Sequence, residues 1–167
     1  MRWMVAPLLV LAAALAGQAA AQDQAEVTWG GASVLQARDA SGEFEDLAHG
    51  HVYLRVSLHD QRRIPLVDIW MITFDRHARL TLDDVKTAAG PEHVLFLRDG
   101  RHVKGRLAAI EGGPGSSRPG QPRVVRFVGT GGAEAAYPVR DVARLFLRDP
   151  TDGFPYDLKR PPPRDRQ

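Results

Sequence analysis

Short segments in which apolar and polar side chains alternate constrain this chain more than any other feature of its sequence. Residues 51–59 read HVYLRVSLH, so an apolar side chain stands at every second position. A period of two is the period of a β-strand with one buried face. Further segments with the length and composition of strands are 93–98, 102–110, 124–128, 135–139 and 142–147. The chain is therefore predicted to be mostly β.

The chain also resembles itself at two offsets. Residues 34–39 (VLQARD) match residues 94–99 (VLFLRD) 60 positions later, and 64–69 (IPLVDI) match 137–142 (YPVRDV) 73 positions later. The difference between the offsets falls in the Gly- and Pro-rich loop 112–122, which has no counterpart in the first copy. We predict an internal repeat, with a first β repeat at 33–75 and a second at 92–148.

The first 21 residues have the three parts of a secretory signal peptide. Arg2 is positive, residues 4–15 are apolar apart from Pro7, and residues 19–21 (AAA) form a cleavage site of small residues. The apolar run is too short to span a bilayer. We expect a periplasmic or secreted protein with no transmembrane span once the signal is removed, and an uncleaved anchor is the alternative. The chain has no Cys, which excludes disulfides, thiolate metal sites and a cysteine nucleophile.

The remaining segments are predicted to connect or flank the repeats. Residues 22–32 form an N-terminal linker. Residues 76–91 form a helical connector, because Thr81 is a suitable N-cap and Asp83 and Asp84 favour the positive end of a helix. Residues 149–167 are rich in Pro and are expected to form a disordered tail.

The second copy resembles the Sm-like and SH3-like small β-barrels. Residues 94–107 (VLFLRDGRHVKGRL) have the order of the first Sm signature, with an apolar strand, an Asp-Gly turn and a strand bent at Gly105. The resemblance covers about residues 81–148 and implies tandem five-stranded barrels. One merged β system stays open, because the first copy is small for an independent core. The second Sm signature is not evident around 141–147, so no RNA-binding residues are carried over.

Basic side chains are concentrated in the second copy and form the candidate ligand-binding set. Arginine suits phosphate and carboxylate, so this set points to an anionic polymer, either nucleic acid or an envelope polysaccharide. A solvated surface is the simpler interpretation, because surfaces of mixed charge are common. The set consists of Arg101, Lys104, Arg106, Arg126 and Arg144.

Two further pairs of polar residues are candidates for metal binding or catalysis. His49 and His51 could share a metal ion, but no third ligand is apparent, so no metal site is predicted. Asp68 and Asp141 recur at matching places after a proline. Turn chemistry explains this recurrence, whereas a hydrolase would need the two carboxylates close together.

The sequence therefore predicts an exported, non-catalytic binding or assembly module of the bacterial cell envelope, with no cofactor. Small barrels bind through loops and edges, so the loop 112–122 and the Arg-rich second copy are the expected contact surfaces. The partner would be an envelope protein or, as the alternative, an anionic polymer. A hydrolase using Asp68 and Asp141 is the second alternative.

Overall fold

The computed structural model describes residues 24–30, 38–75, 77–113, 116 and 120–152. Within them lie ten strands, two 3-10 helices and one α-helix. The strands are β1 (Gln24–Trp29), β2 (Arg38–Ala48), β3 (His51–Ser57), β4 (Asp60–Pro65), β5 (Ile69–Thr73), β6 (His93–Leu97), β7 (His102–Glu111), β8 (Val124–Gly129), β9 (Glu134–Pro138) and β10 (Val142–Phe146). The α-helix α1 is Leu82–Ala88, and the 3-10 helices are Leu66–Asp68 and Val139–Asp141.

All ten strands form one curled antiparallel sheet in the order β4-β3-β2-β1-β5-β10-β6-β7-β8-β9. The first five strands occupy one half of the sheet and the last five the other. In both halves the first strand lies between the second and the fifth, and the fourth lies at the outer edge. The prediction of a mostly β protein with one short helix is confirmed.

The two halves meet where β5 pairs with β10. Ile72 lies directly opposite Leu145, and these residues are 73 positions apart. Several elements recur at this offset: both 3-10 helices and both fifth strands begin and end 73 residues apart. The offset of 60 is not reproduced in the same way. It would match residues 34–37 with β6, but the strand of the first half that holds the position of β6 in the sheet is β1. Residues 34–37 lie outside the described part of the chain.

One hydrophobic core lies on the inner face of the sheet and draws on both halves. Val27, Phe44 and Leu54 from the first half are fully buried in it, as is Leu95 from the second, and Phe127 is 1% exposed. The predicted alternation of β3 accounts for Leu54, whose side chain points inward. The shared sheet and core fit the merged arrangement; separate barrels are not confirmed.

Helix α1 covers part of the opposite, outer face. Its N-cap is Thr81, as predicted: the Thr81 side chain accepts a hydrogen bond from the Asp84 amide at 3.1 Å, and the Asp84 carboxylate accepts one from the Thr81 amide at 2.9 Å. Val85 packs with a second, smaller cluster that includes Val94 and Phe96. The helix therefore buries apolar side chains of the central strands that face away from the main core.

In each half, a glycine of the second strand lies close against the backbone of the neighbouring third strand. A Cβ atom on Gly105 would lie 2.0 Å from the Val128 carbonyl oxygen, and one on Gly42 would lie 2.4 Å from the Arg55 carbonyl oxygen. Real Cβ atoms do not approach so closely, so both positions require glycine. Gly105, at which a bend is predicted, thus has a counterpart in Gly42 with the same close approach to a backbone carbonyl.

The domain boundaries differ from expectation at the N-terminal side. Strand β1 lies inside the segment 22–32 that was predicted to be a linker, because its residues pair with β2 and β5. Asp149 to Asp152, at the start of the predicted tail, form a turn in which Asp149 accepts hydrogen bonds from Gly90 and Thr151. The predicted signal peptide 1–21 and the rest of the tail, 153–167, lie outside the described residues.

Candidate functional site

The five predicted ligand-binding side chains do not converge on one cleft. Arg101 lies in the β6–β7 turn, and its guanidinium pairs with the Asp99 carboxylate at 2.7 Å. The same carboxylate accepts the Arg101 amide at 3.0 Å, and these hydrogen bonds lower the pKa of Asp99. Arg101 therefore stabilises its own turn, although its side chain is exposed.

Arg126 projects from β8 and is neutralised by two carboxylates. Its guanidinium pairs with Glu111 on β7 at 3.0 Å and with Glu134 on β9 at 3.1 Å. These hydrogen bonds, that to Glu111 first, raise the pKa of Arg126. Two negative charges beside one positive charge make this position unfavourable for an anion.

Arg126 and Glu111 also line a shallow cleft of about 200 Å³ at the base of the loop 112–122. The other lining residues are Gly112, Gln121, Pro122 and Val124. The loop was a predicted contact surface, but residues 114, 115 and 117–119 lie outside the described part of the chain. The cleft itself therefore presents a compensated ion-pair network and no concentration of positive charge.

Arg144 is buried, with 3% of its surface exposed, and serves the fold. Its guanidinium donates to the carbonyl oxygens of Ala78 and Arg79 and lies 3.4 Å from the Asp84 carboxylate. Burial lowers the pKa of Arg144, and the charge of Asp84 opposes that shift. Arg144 thus fastens the segment before α1 to the outer face of β10 and is not accessible to a polymer.

The last two residues of the predicted ligand-binding set are Lys104 and Arg106. They are two residues apart on β7, so both point to the outer face of the sheet. Among the described residues, no carboxylate lies within ion-pair distance of either one. The five predicted residues are therefore two free cations, two paired arginines and one buried arginine.

The predicted histidine pair is arranged around a turn. His49 has a positive φ of 50°, and the ring Nδ1 of His51 lies 2.8 Å from the His49 carbonyl oxygen. In the part of the chain that the structure describes, no group of three His, Cys, Asp or Glu side chains could hold a metal ion. The histidines thus form a local hydrogen bond in the β2–β3 turn.

Asp68 and Asp141 lie at opposite ends of the β5–β10 pair. Asp68 precedes Ile72 by four residues and Asp141 precedes Leu145 by four residues, and Ile72 and Leu145 lie directly opposite each other. Because the two strands are antiparallel, the aspartates lie on opposite sides of this pair. At about 3.3 Å per residue their Cα atoms are roughly 25 Å apart, far beyond the ~5–10 Å that paired carboxylates need. These two residues cannot act together on one bond.

The recurrence of these aspartates has a backbone explanation. The Asp68 carbonyl accepts the Gly30 amide at 3.0 Å, and the Asp141 carbonyl accepts the Arg98 amide at 2.9 Å. Each bond ties the 3-10 helix of one half to the residue that follows the first strand of the same half. In each 3-10 helix the N-cap residue is a proline, Pro65 or Pro138, and the aspartate is the last residue of the helix.

A buried carboxylate that sequence reasoning missed lies on β2. Glu45 is 6% exposed and contacts the side chains of Arg55 and Gln61. From the other half, Arg123 donates to the Glu45 carbonyl at 2.9 Å, and its guanidinium lies 5.0 Å from the centre of the Phe44 ring. Glu45 follows the core residue Phe44 at a β-bulge, and nothing in the local sequence marks a bulge there. Through Arg123, the cluster joins the two halves of the sheet.

The outer edge of β9 is the second feature that sequence reasoning did not single out. The Gly129 amide donates to Ala133 and the Val139 amide donates to Arg123, so alternation places the intervening bonds to β8 at Ala135 and Tyr137. The N–H and C=O groups of Glu134 and Ala136 therefore point away from β8, and β9 ends the sheet among the described strands. The signal in the sequence was Pro138, since proline is confined to positions where no ladder bond is needed.

No protein-family model matches this chain, and comparison with curated proteins and with solved structures found no similar protein. The resemblance to Sm-like and SH3-like barrels accordingly stays a prediction. Among the described residues, no helix is long and apolar enough to cross a membrane. Fold and surface together define an all-antiparallel β protein with a single curled sheet, a shared core and exposed sheet edges.

Proposed function

We propose that this chain is an exported, non-catalytic binding module of the bacterial cell envelope, and that it captures an extended segment of a partner protein as an added strand beside β9. One observation carries the proposal: the backbone groups of Glu134 and Ala136 point outward from the last strand of the sheet. Unpaired edge groups are the template for strand addition.

The two edges of the sheet differ in a way that favours β9 over β4. Strand β4 carries Arg62 and Arg63, both exposed, and charged side chains on an edge discourage strand addition. Strand β9 carries exposed Ala135 and Ala136. Its one charged residue, Glu134, already pairs with Arg126. An incoming strand thus meets small side chains and a neutralised charge.

For the architecture we propose two SH3-like units that arose by duplication and share one sheet and core. What supports this is the equal order of strands in the two halves, the recurrence of elements at an offset of 73 residues, and the paired positions of Gly42 and Gly105. In this view the antiparallel β5–β10 pair joins the fifth strands of the two units. Export rests on residues 1–21 alone.

The test is selection of binding peptides from a displayed library of random heptapeptides against the mature chain. Ala136→Pro removes only an outward N–H and leaves the bonds to β8 intact. Arg63→Pro is the matched control, because Arg63 holds the equivalent outward position on β4.

We expect the selected peptides to bind Ala136→Pro at least about tenfold more weakly, equivalent to ~1.4 kcal/mol. Their affinity for Arg63→Pro should match that for the wild-type chain. Equal binding to both variants, or a library that yields no binder, would overturn the proposal. A β9-dependent dimer in light scattering would show instead that the occupant is a second copy.

A further inference from the structure

We infer that the outer face of β7 binds a linear chain of phosphate groups, at a site separate from the β9 edge. The site is the basic row formed by His102, Lys104 and Arg106. These residues alternate along one strand, so their side chains emerge on one face at intervals of about 6.7 Å. Such a row matches an extended polyanion better than a single compact anion.

Among the described residues, no carboxylate forms an ion pair with Lys104 or Arg106. In the sheet, Lys104 lies opposite Val94 on β6, and Arg106 lies opposite Val128 on β8. Glu92, which directly precedes β6, continues the register to a position opposite Arg106, yet no ion pair joins these two residues. Each cation therefore has a valine directly across from it on a neighbouring strand, and Glu92 is the acidic residue across from Arg106. Beside apolar side chains an added anion is screened less than in open water.

The neighbouring arginines do not extend the row. Arg101, at its start, is paired with Asp99, and Arg126, on the next strand, is paired with Glu111 and Glu134. The positive potential is thus confined to β7. A guanidinium binds phosphate through two parallel hydrogen bonds and an ammonium through a point charge, so Arg106 and Lys104 suit a phosphate chain.

The chemistry points to recognition of the phosphate groups themselves. Phe96 is the apolar ring beside the row, with its centre 5.9 Å from that of His102, but only 8% of its surface is exposed. A buried ring offers no platform for stacking nucleobases. Inorganic polyphosphate is therefore the appropriate probe, and polyglutamate of similar length distinguishes phosphate from carboxylate.

The experiment compares the mature chain with two double variants that lose the same charge. Lys104→Met/Arg106→Met removes the fixed charges of the row. Arg101→Met/Arg140→Met is the control, because both of its arginines are exposed and lie outside the row. Fluorescence anisotropy with labelled polyphosphate measures affinity at several salt concentrations, and amide NMR of the wild-type chain locates the contact.

We expect polyphosphate to bind the wild-type chain with an affinity that falls steeply with salt, and to shift the amide signals of residues 102–106. The row variant should bind at least tenfold more weakly, and its salt slope should be shallower by roughly 1 to 2. The control variant should lose less than threefold.

Three outcomes overturn the inference: equal losses in both variants, amide shifts elsewhere in the chain, or polyglutamate binding as tightly as polyphosphate. The NMR result stands even if the row variant unfolds. Binding of peptides at β9 is unaffected by any of these outcomes, so the two proposals fail separately.

Discussion

Gly105 shows how a single residue permits the curvature of this sheet. Its Cα lies against the backbone of β8, and a Cβ atom there would meet the Val128 carbonyl oxygen at 2.0 Å and the Gly129 Cα at 2.8 Å. Both contacts are with backbone, which cannot move aside as the end of a side chain can. Loss of this close approach would flatten the bend that brings β7 and β8 over the core.

We predict that Gly105→Ala lowers the free energy of unfolding by about 2 kcal/mol, the cost typical of forcing extra atoms into a packed site. Gly131→Ala is the control, since no atom lies within 4 Å of a Cβ placed at Gly131. Urea denaturation of both variants measures the difference. Equal midpoints for the two variants would show that the strand crossing relaxes freely.

His93 makes stability depend on pH. Its ring Nδ1 accepts a hydrogen bond from the Leu107 amide at 3.0 Å, a bond that requires an unprotonated nitrogen. Burial, and secondarily the charge of Arg106, lower the pKa of His93 below 6.5. The unfolded chain therefore takes up a proton at a higher pH than the folded chain, so stability is complete above pH 6.5 and is lost as the pH falls from there to the folded pKa.

We predict that His93→Asn flattens this dependence, because its amide oxygen can accept the same bond without titrating. The wild-type chain should lose stability relative to the variant as the pH falls from 7 to 5, with a slope of at most ~1.4 kcal/mol per pH unit. Denaturation at a series of pH values in one buffer system measures the difference between the curves. Parallel curves would contradict the assignment.

At the scale of elements, local patterns were predictable and distant partners were not. Thr81, Asp83 and Asp84 predicted helix α1, because the capping bonds of a helix lie within four residues of each other. The sequence predicts a linker where strand β1 lies, because the strands that hold β1 are β2 and β5, whose residues are up to 47 positions away. The structural role of Arg144 was not predictable for a similar reason, since its carbonyl partners lie 65 and 66 residues before it in the chain.

We predict that Arg144→Met lowers the free energy of unfolding by about 3 kcal/mol, because it removes the three charge-assisted contacts of one buried guanidinium, with the carbonyls of Ala78 and Arg79 and with the Asp84 carboxylate. Arg140→Met is the control, since Arg140 and its partner Asp141 are both more than half exposed and 3.9 Å apart. It should cost less than about 0.5 kcal/mol. Hydrogen exchange should place the loosening in residues 78–88, and equal costs for both variants would contradict a structural role for Arg144.

At the scale of the whole molecule, the recurrence at an offset of 73 residues was visible in the sequence, but the way the two halves of the sheet join was not. Residues 64–69 and 137–142 showed the offset of 73, because turn and strand residues are local signals. Two separate barrels would require β5 and β10 each to pair within its own half, whereas in the structure these two strands pair with each other. Burial of Ile72 and Leu145 at 0% exposure makes that junction part of the core.

A shared core has a consequence for unfolding that separate barrels would not have. Trp29, in the first half, packs against the shared core, whereas Trp70 packs with Val94 and Phe146 of the second half. The measurement is therefore made in a Trp70→Phe background, in which Trp29 is the tryptophan of the described residues and its fluorescence reports on the first half. Phe127 lies in the second half and is 1% exposed. We predict that Phe127→Leu lowers the tryptophan unfolding midpoint in urea as much as the midpoint from circular dichroism, a loss of about 1 to 2 kcal/mol. If the halves unfolded independently, the tryptophan midpoint would stay at its wild-type value, because no core contact would carry the loss at Phe127 across the β5–β10 junction.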